Sequence, residues 1–102
     1  MSLETRETSA IRTARALSDP TRFRLLRAIA SRAEISCAEL VALFPVSQAT
    51  VSHHLKVLAE AGLVAVRLEG SFHYYRAIAG ALEAHGRDLR TLAGARRRGG
   101  RR

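Results

Sequence analysis

The sequence predicts a single, mainly helical domain with one β-hairpin, in the order helix, helix, short strand, helix, helix, strand, strand, helix. Three observations predict it. Between Ser36 and Gly62 two helical stretches are separated by a proline corner at Pro45. Directly after Gly62 the apolar period changes from helical to alternating, as it does when a strand follows a helix. Helical periodicity flanks this block on both sides, over Ser9 to Leu17 and from about Gly80 to Ala93.

Composition narrows the class. At 102 residues the chain makes one domain with a modest core, small enough that a second copy would help stabilise it, so a homodimer is expected. No apolar run approaches the ~18 residues of a membrane span, and MSLETRETSAIR has no apolar secretory core. The expected location is the cytoplasm, with no membrane partner. One cysteine, Cys37, excludes an internal disulfide framework. The net charge is +8, but residues 1–95 hold twelve basic and nine acidic side chains, and Arg96, Arg97, Arg98, Arg101 and Arg102 supply the rest. Residues 1–93 are therefore expected to form the domain and 94–102 a disordered, Arg/Gly-rich tail. That tail either adds salt-sensitive phosphate affinity or is a solvated terminus.

In chain order, Ala10, Ile11, Ala14 and Leu17 recur at helical spacing, with Arg12 and Arg15 pointing away. Asp19 before Pro20 is a start signal, an acidic N-cap followed by the residue best tolerated at the first helical position. In the helix that follows, Phe23, Leu26, Ile29 and Ala30 are expected to be buried, while Arg24, Arg27 and Ser31 face outward. Arg22 and Arg24 are candidates for phosphate contact, with a solvated arginine face as the plainer reading. Ser36 with Glu39 has the spacing of a capping box, and Leu40, Leu43 and Phe44 supply the buried side of that short helix. Pro45 ends it, placing the corner at Phe44 to Val46.

Ser47 is the next N-cap. Val51, Leu55 and Leu58 mark the inner face of the helix it starts. Gln48, Ala49, Ser52, His53 and Lys56 share the outer face, where none is acidic, so short hydrogen-bonding side chains and a methyl group can approach base edges and phosphates. An ordinary solvated helix is the plain alternative for this stretch alone. His53 and His54 diverge by about 100° on a helix and read as DNA contact and helix packing, not as a shared metal site. Beyond Gly62, Val64, Val66 and Leu68 alternate with Ala65, Arg67 and Glu69, the turn falls at Glu69 to Ser71, and Phe72 to Ile78 returns. A hairpin with Arg67, Ser71 and His73 near its tip, directly after a helix of this kind, is the layout of a winged helix-turn-helix. In the last helix Leu82, His85, Leu89 and Leu92 continue one apolar seam, which with Ile11 and Ala14 of the first helix is expected to pack across a twofold axis.

These residues resemble the bacterial ArsR/SmtB transcriptional regulators over roughly residues 10–93. ALSDPTRFRLL is similar to the start of the family's second helix, SQATVSHHLKVLAEAGLV to its recognition helix and EGSFHYYR to its wing. The resemblance implies a homodimer binding an imperfect palindrome near a promoter, with an effector that switches DNA affinity. Residue by residue, it places DNA binding on Ser47, Gln48, Ala49, Thr50, Ser52, His53, His54 and Lys56, with the wing contributing from Arg67 to His73.

The effector sites of the family are not matched. Where its metal sensors carry a Cys-X-Cys pair, Ser36 and Ala38 stand here with Cys37 between them, and one thiolate is too few for a soft-metal site. A second family site falls on Ala79, Ala81, Leu92 and Ala95. His85 and Asp88 share a helix face and would suit Ni or Zn if Glu83, Glu4, Glu7 or a symmetry mate completed the set; otherwise His85 packs in the dimer seam. No cofactor is firmly implied. No nucleophile, base and orienting acid are placed together, so an enzyme is not expected. Two classes remain: a sequence-specific regulator of double-stranded DNA, and a nucleoid-type or adaptor protein using the same fold.

Overall fold

The computed structural model describes residues 3–100, with side chains described over residues 4–94. Eight elements follow the expected order: α1 (Leu3–Leu17), α2 (Pro20–Ala30), β1 (Ile35–Ser36), α3 (Cys37–Leu43), α4 (Gln48–Glu60), β2 (Val64–Glu69), β3 (Phe72–Ala77) and α5 (Ala79–Gly100). The architecture is a winged helix-turn-helix. The sheet is antiparallel in the order β1-β3-β2, with Ile35 opposite Tyr75 and Val66 on the other side of the same tyrosine.

Local chemistry sets the element boundaries. Asp19 Oδ2 accepts from the Arg22 backbone amide at 3.0 Å, with Pro20 opening α2. Ser36 and Glu39 form the reciprocal capping box, Glu39 N donating to Ser36 Oγ and Ser36 N to Glu39 Oε1, each at 3.1 Å. Phe44 leaves the helix in extended geometry ahead of Pro45 (φ −121°, ψ 137°), the conformation that a following proline imposes. At the far end of α4, Gly62 takes φ +77°. Its amide donates to Ala59 O and the next amide, Leu63, to Leu58 O, both at 3.0 Å, the paired bonds of a Schellman stop. The hairpin closes through Gly70 and Ser71, with φ +61° at Gly70 and no positive φ at any described non-glycine residue, the pattern of a type II′ turn.

The core forms where α2 meets α4 and the sheet. Leu25, Leu26 and Ile29 of α2 pack with Ile35, Leu40, Val51, Leu55, Leu58, Leu63 and Val64. Two expectations need correction. On α2 the buried stripe includes Leu25, whereas Phe23 is 49% exposed and Ala30 is also on the surface. Both sit a quarter to a third of a turn from the centre of the arc covered by α4 and β3, given ~100° per residue. On α3 the same geometry leaves Leu43 60% exposed while Leu40 is fully buried and Phe44 half-buried; a helix of seven residues has only one side to bury.

The outer helices are longer than the periodicity suggested. α1 begins at Leu3, upstream of Ser9, and α5 continues past Ala93 to Gly100, taking in residues 94–100 of the stretch expected to be a disordered tail. The side chains of Arg96, Arg97 and Arg98, and all of Arg101 and Arg102, lie outside the described residues.

Glu39 links stability to pH. A side-chain hydrogen bond from Arg32, then the Ser36 amide and hydroxyl, hold its carboxyl at about 2. A carboxylate depressed on folding stabilises the native state above its unfolded value, and that contribution disappears as pH falls through the folded value. Glu39→Gln should therefore lower the thermal midpoint modestly at pH 7, and the difference from wild type should shrink as pH falls from the ordinary glutamate range through about 2. A difference that does not shrink across that range would assign the effect to something other than this charge.

Candidate nucleic-acid interface

The outward face of α4 is where its amphipathicity places it. Val51, Leu55 and Leu58 are buried, and Gln48, Ala49, Thr50, Ser52, His53 and Lys56 are exposed, as is the cap residue Ser47. Ser47 Oγ accepts from the Thr50 amide at 3.1 Å and donates to Thr50 Oγ1 at 3.0 Å, so these two hydroxyls are partly occupied in starting the helix. Gln48 and Ser52, one turn apart, make no side-chain hydrogen bond among the described residues and line a groove of about 510 Å³ that also takes in Ser71, Phe72 and His73 at the hairpin tip. The fold thus joins the helix residues and the wing tip into one surface, although they lie some twenty positions apart in the chain.

Two of the candidate residues stand elsewhere. His54 is largely buried, with its side chain 13% exposed. Its Nδ1 lies 3.3 Å from Arg22 Nη1 and its Nε2 3.9 Å from Asp19 Oδ2. The packing alternative applies to it. Arg67 lies opposite Tyr74 while His73 lies opposite Leu68, and alternation puts these two residues on opposite faces of the hairpin. Its guanidinium grips Glu34 with two bonds, Nε to Oε2 at 3.1 Å and Nη2 to Oε1 at 2.9 Å, and reaches Glu69 Oε2 at 3.1 Å through Nη1. The same group lies 4.5 Å from the centre of the Tyr74 ring. The bond from Arg67 is the main reason the Glu34 carboxyl sits below its ordinary range. Arg67 is spent on fastening the wing to the segment before β1, a role with no local sequence signal because Glu34 is 33 positions away.

Arg22, weighed as a phosphate contact, is likewise occupied. Its Nε donates to Ala16 O at 2.8 Å and its Nη2 to Arg15 O at 3.2 Å. Arg24, by contrast, is exposed.

A profile described as a helix-turn-helix domain matches residues 17–67, half of the chain. Over 61 residues the sequence is 34% identical to an uncharacterised helix-turn-helix-type transcriptional regulator of Methanocaldococcus jannaschii, covering 60% of this chain and 68% of that one. A transcriptional repressor SmtB homologue of Synechocystis is 43% identical over 59% of this chain and 45% of its own. An ArsR-like transcriptional regulator from Rhodococcus superposes with a TM-score of 0.82 at 28% identity, covering 90% of this chain and 86% of that one. The chain belongs to the ArsR/SmtB family. These relatives are transcriptional regulators by name, a binding role and not a catalytic one. The matched stretch spans about half the length of the SmtB homologue.

Among the described residues no three His, Cys, Asp or Glu side chains gather to hold a metal. His85 and Asp88 therefore offer at most two donors within one subunit. His85 Nδ1 is buried without a hydrogen-bond partner. Cys37 is half-buried and lines the groove beside Tyr75, whose hydroxyl is pushed up by burial and then by the thiol.

Because two carboxylates already match the charge of Arg67, Arg67→Met should leave the slope of log K for DNA against log salt unchanged, while amide exchange in β2 and β3 accelerates. A slope smaller by about one would place Arg67 on a phosphate instead.

Proposed function

We propose that the chain is a sequence-specific transcriptional regulator that binds an imperfect palindrome near a promoter as a homodimer. The observation that carries this reading is the groove in which Gln48 and Ser52 of α4 meet Ser71, Phe72 and His73 of the wing, with no acidic side chain in its lining. In this reading, α4 lies in the major groove. Gln48 and Ser52 reach base edges, Ala49 offers a methyl-sized contact, and His53 and Lys56 approach phosphates. Ser71 and His73 meet the adjoining backbone. The division of labour follows from the chemistry, since base edges are read by hydrogen bonds and the backbone by charge.

Dimerisation is supported by what a single subunit leaves uncovered. Ile11 of α1 and Leu89 and Leu92 of α5 are 47%, 54% and 68% exposed, while Leu82 and His85 of the same seam are half-buried. Apolar side chains repeating at helical spacing on two neighbouring helices suit a second copy related by a twofold axis. Such a pair presents two α4 helices to one duplex, which requires half-sites about one helical turn apart.

A footprint on the promoter of the chain's own gene tests this reading against a nucleoid-type or adaptor role. Protection should be confined to a palindrome with that spacing, and equal affinity for random duplex at ~0.15 M salt would contradict it. On the protected site, Gln48→Ala or Ser52→Ala should weaken binding by ~1 to 3 kcal/mol per half-site while sparing binding to random duplex. Unchanged discrimination in both variants would move the reading face elsewhere.

A further inference from the structure

Arg22 occupies a junction. It belongs to the first turn of α2, yet its guanidinium bonds to two other helices. Nε and Nη2 donate to the carbonyls of Ala16 and Arg15, in the last turn of α1; Arg15 O also accepts from the Ser18 amide and hydroxyl. Nη1 reaches Nδ1 of His54, midway along α4. A guanidinium only donates, so Nδ1 is the accepting nitrogen of this contact, while Nε2 lies on the side of Asp19. Asp19 Oδ2 accepts from the backbone amide of the same arginine. His54 is flanked by the exposed Ser52 and His53 on one side and the buried Leu55 on the other, and its ring lies 5.6 Å from that of His53.

We propose that Arg22 is a positioning residue that fixes the pose of α4 relative to α1 through His54, and so couples subunit pairing to sequence discrimination. The inference rests on the regulator reading above. The planar fork holds three acceptors at once, so any slide of α1 along α4 breaks at least one bond. α1 carries Ile11, part of the surface assigned to the second copy, and α4 carries the reading face. A dimer that fixes α1 thereby fixes the angle at which Gln48 and Ser52 meet the duplex. Nonspecific binding, which depends on charge and not on that angle, does not need the clasp.

The test uses the full chain and four variants: Arg22→Lys, which keeps the charge but cannot span three acceptors; His54→Leu, which removes the acceptor; His54→Asn, which keeps an acceptor oxygen near the place of Nδ1; and the Arg22→Lys/His54→Leu double variant. Affinities for the chain's own promoter duplex and for random duplex are measured at one salt concentration, with the dimer dissociation constant from sedimentation. Arg22→Lys and His54→Leu should each lower the promoter-to-random ratio roughly ten-fold, as expected for loss of a charge-assisted hydrogen bond. The double variant should be no worse than the worse single, and His54→Asn should recover most of the ratio. Random-duplex affinity and the dimer constant should stay within about two-fold, since neither term uses the clasp. An unaltered ratio in both single variants, losses that multiply in the double, failure of His54→Asn to recover, or loss of folding in place of discrimination overturns the proposal. A wild-type chain with no preference for its promoter brings down the regulator reading itself, whereas a discriminating wild type with indifferent variants sinks only the clasp.

Discussion

Everything the surface can do depends on which side of α4 is dry. Val51, Leu55 and Leu58 are each no more than 1% exposed, packed in the same core as Leu25, Leu26 and Ile29 of α2. Fully burying side chains of this size is worth about 1.5–3 kcal/mol each, more than any single hydrogen bond on the outer face supplies. Once that inner face is committed, the direction of Gln48, Ala49, Ser52, His53 and Lys56 is no longer free. The caps at Ser47 and Gly62 then set where the helix starts and stops. Apolar burial thus decides which side of α4 faces outward.

The wing follows a different logic. Only Val64, at its base, is buried; Leu68 is 65% exposed, so the hairpin extends beyond the core and cannot be held by it along its length. Polar chemistry takes over there. Arg67 binds Glu34 and Glu69 and lies against Tyr74, and β1 pairs with β3 on its other edge. Surface ion pairs contribute little individually, but a bidentate pair fixes direction as well as distance. The charge that looked available for DNA is the one that orients the hairpin, and Ser71 and His73 at its tip are the groups left on the side shared with α4.

Much of this was legible in the residues because the deciding signals are local. The Asp19–Pro20 start, the Ser36–Glu39 box, the corner at Pro45 and the stop at Gly62 all act within a few positions, and each appears where the sequence placed it. The inner and outer faces of α4 were legible for the same reason, since 3.6-residue periodicity is a local pattern. Legibility failed where a side chain's partner is distant. Nothing near Arg67 announces Glu34, nothing near His54 announces Arg22, and both side chains turn out to serve the subunit. It failed also for Phe23 and Leu43, apolar residues whose exposure depends on how wide an arc the neighbouring elements cover. The extra length of α1 and α5 was hidden because neither added stretch carries a clear apolar stripe.

The arrangement separates two tasks that small DNA-binding domains must reconcile. The core and the polar clasps hold the helices at fixed angles, while the reading face carries short side chains that a substitution can alter without disturbing the fold. The central claim, that paired α4 helices present this face to one duplex, is tested most directly by tethering an iron chelate at Ala49→Cys in a Cys37→Ser background and mapping strand cleavage on the promoter duplex. The account predicts two cleavage clusters in the major groove, related by a twofold axis and separated by about one helical turn. Cleavage spread evenly along the duplex, or a single cluster, would contradict it.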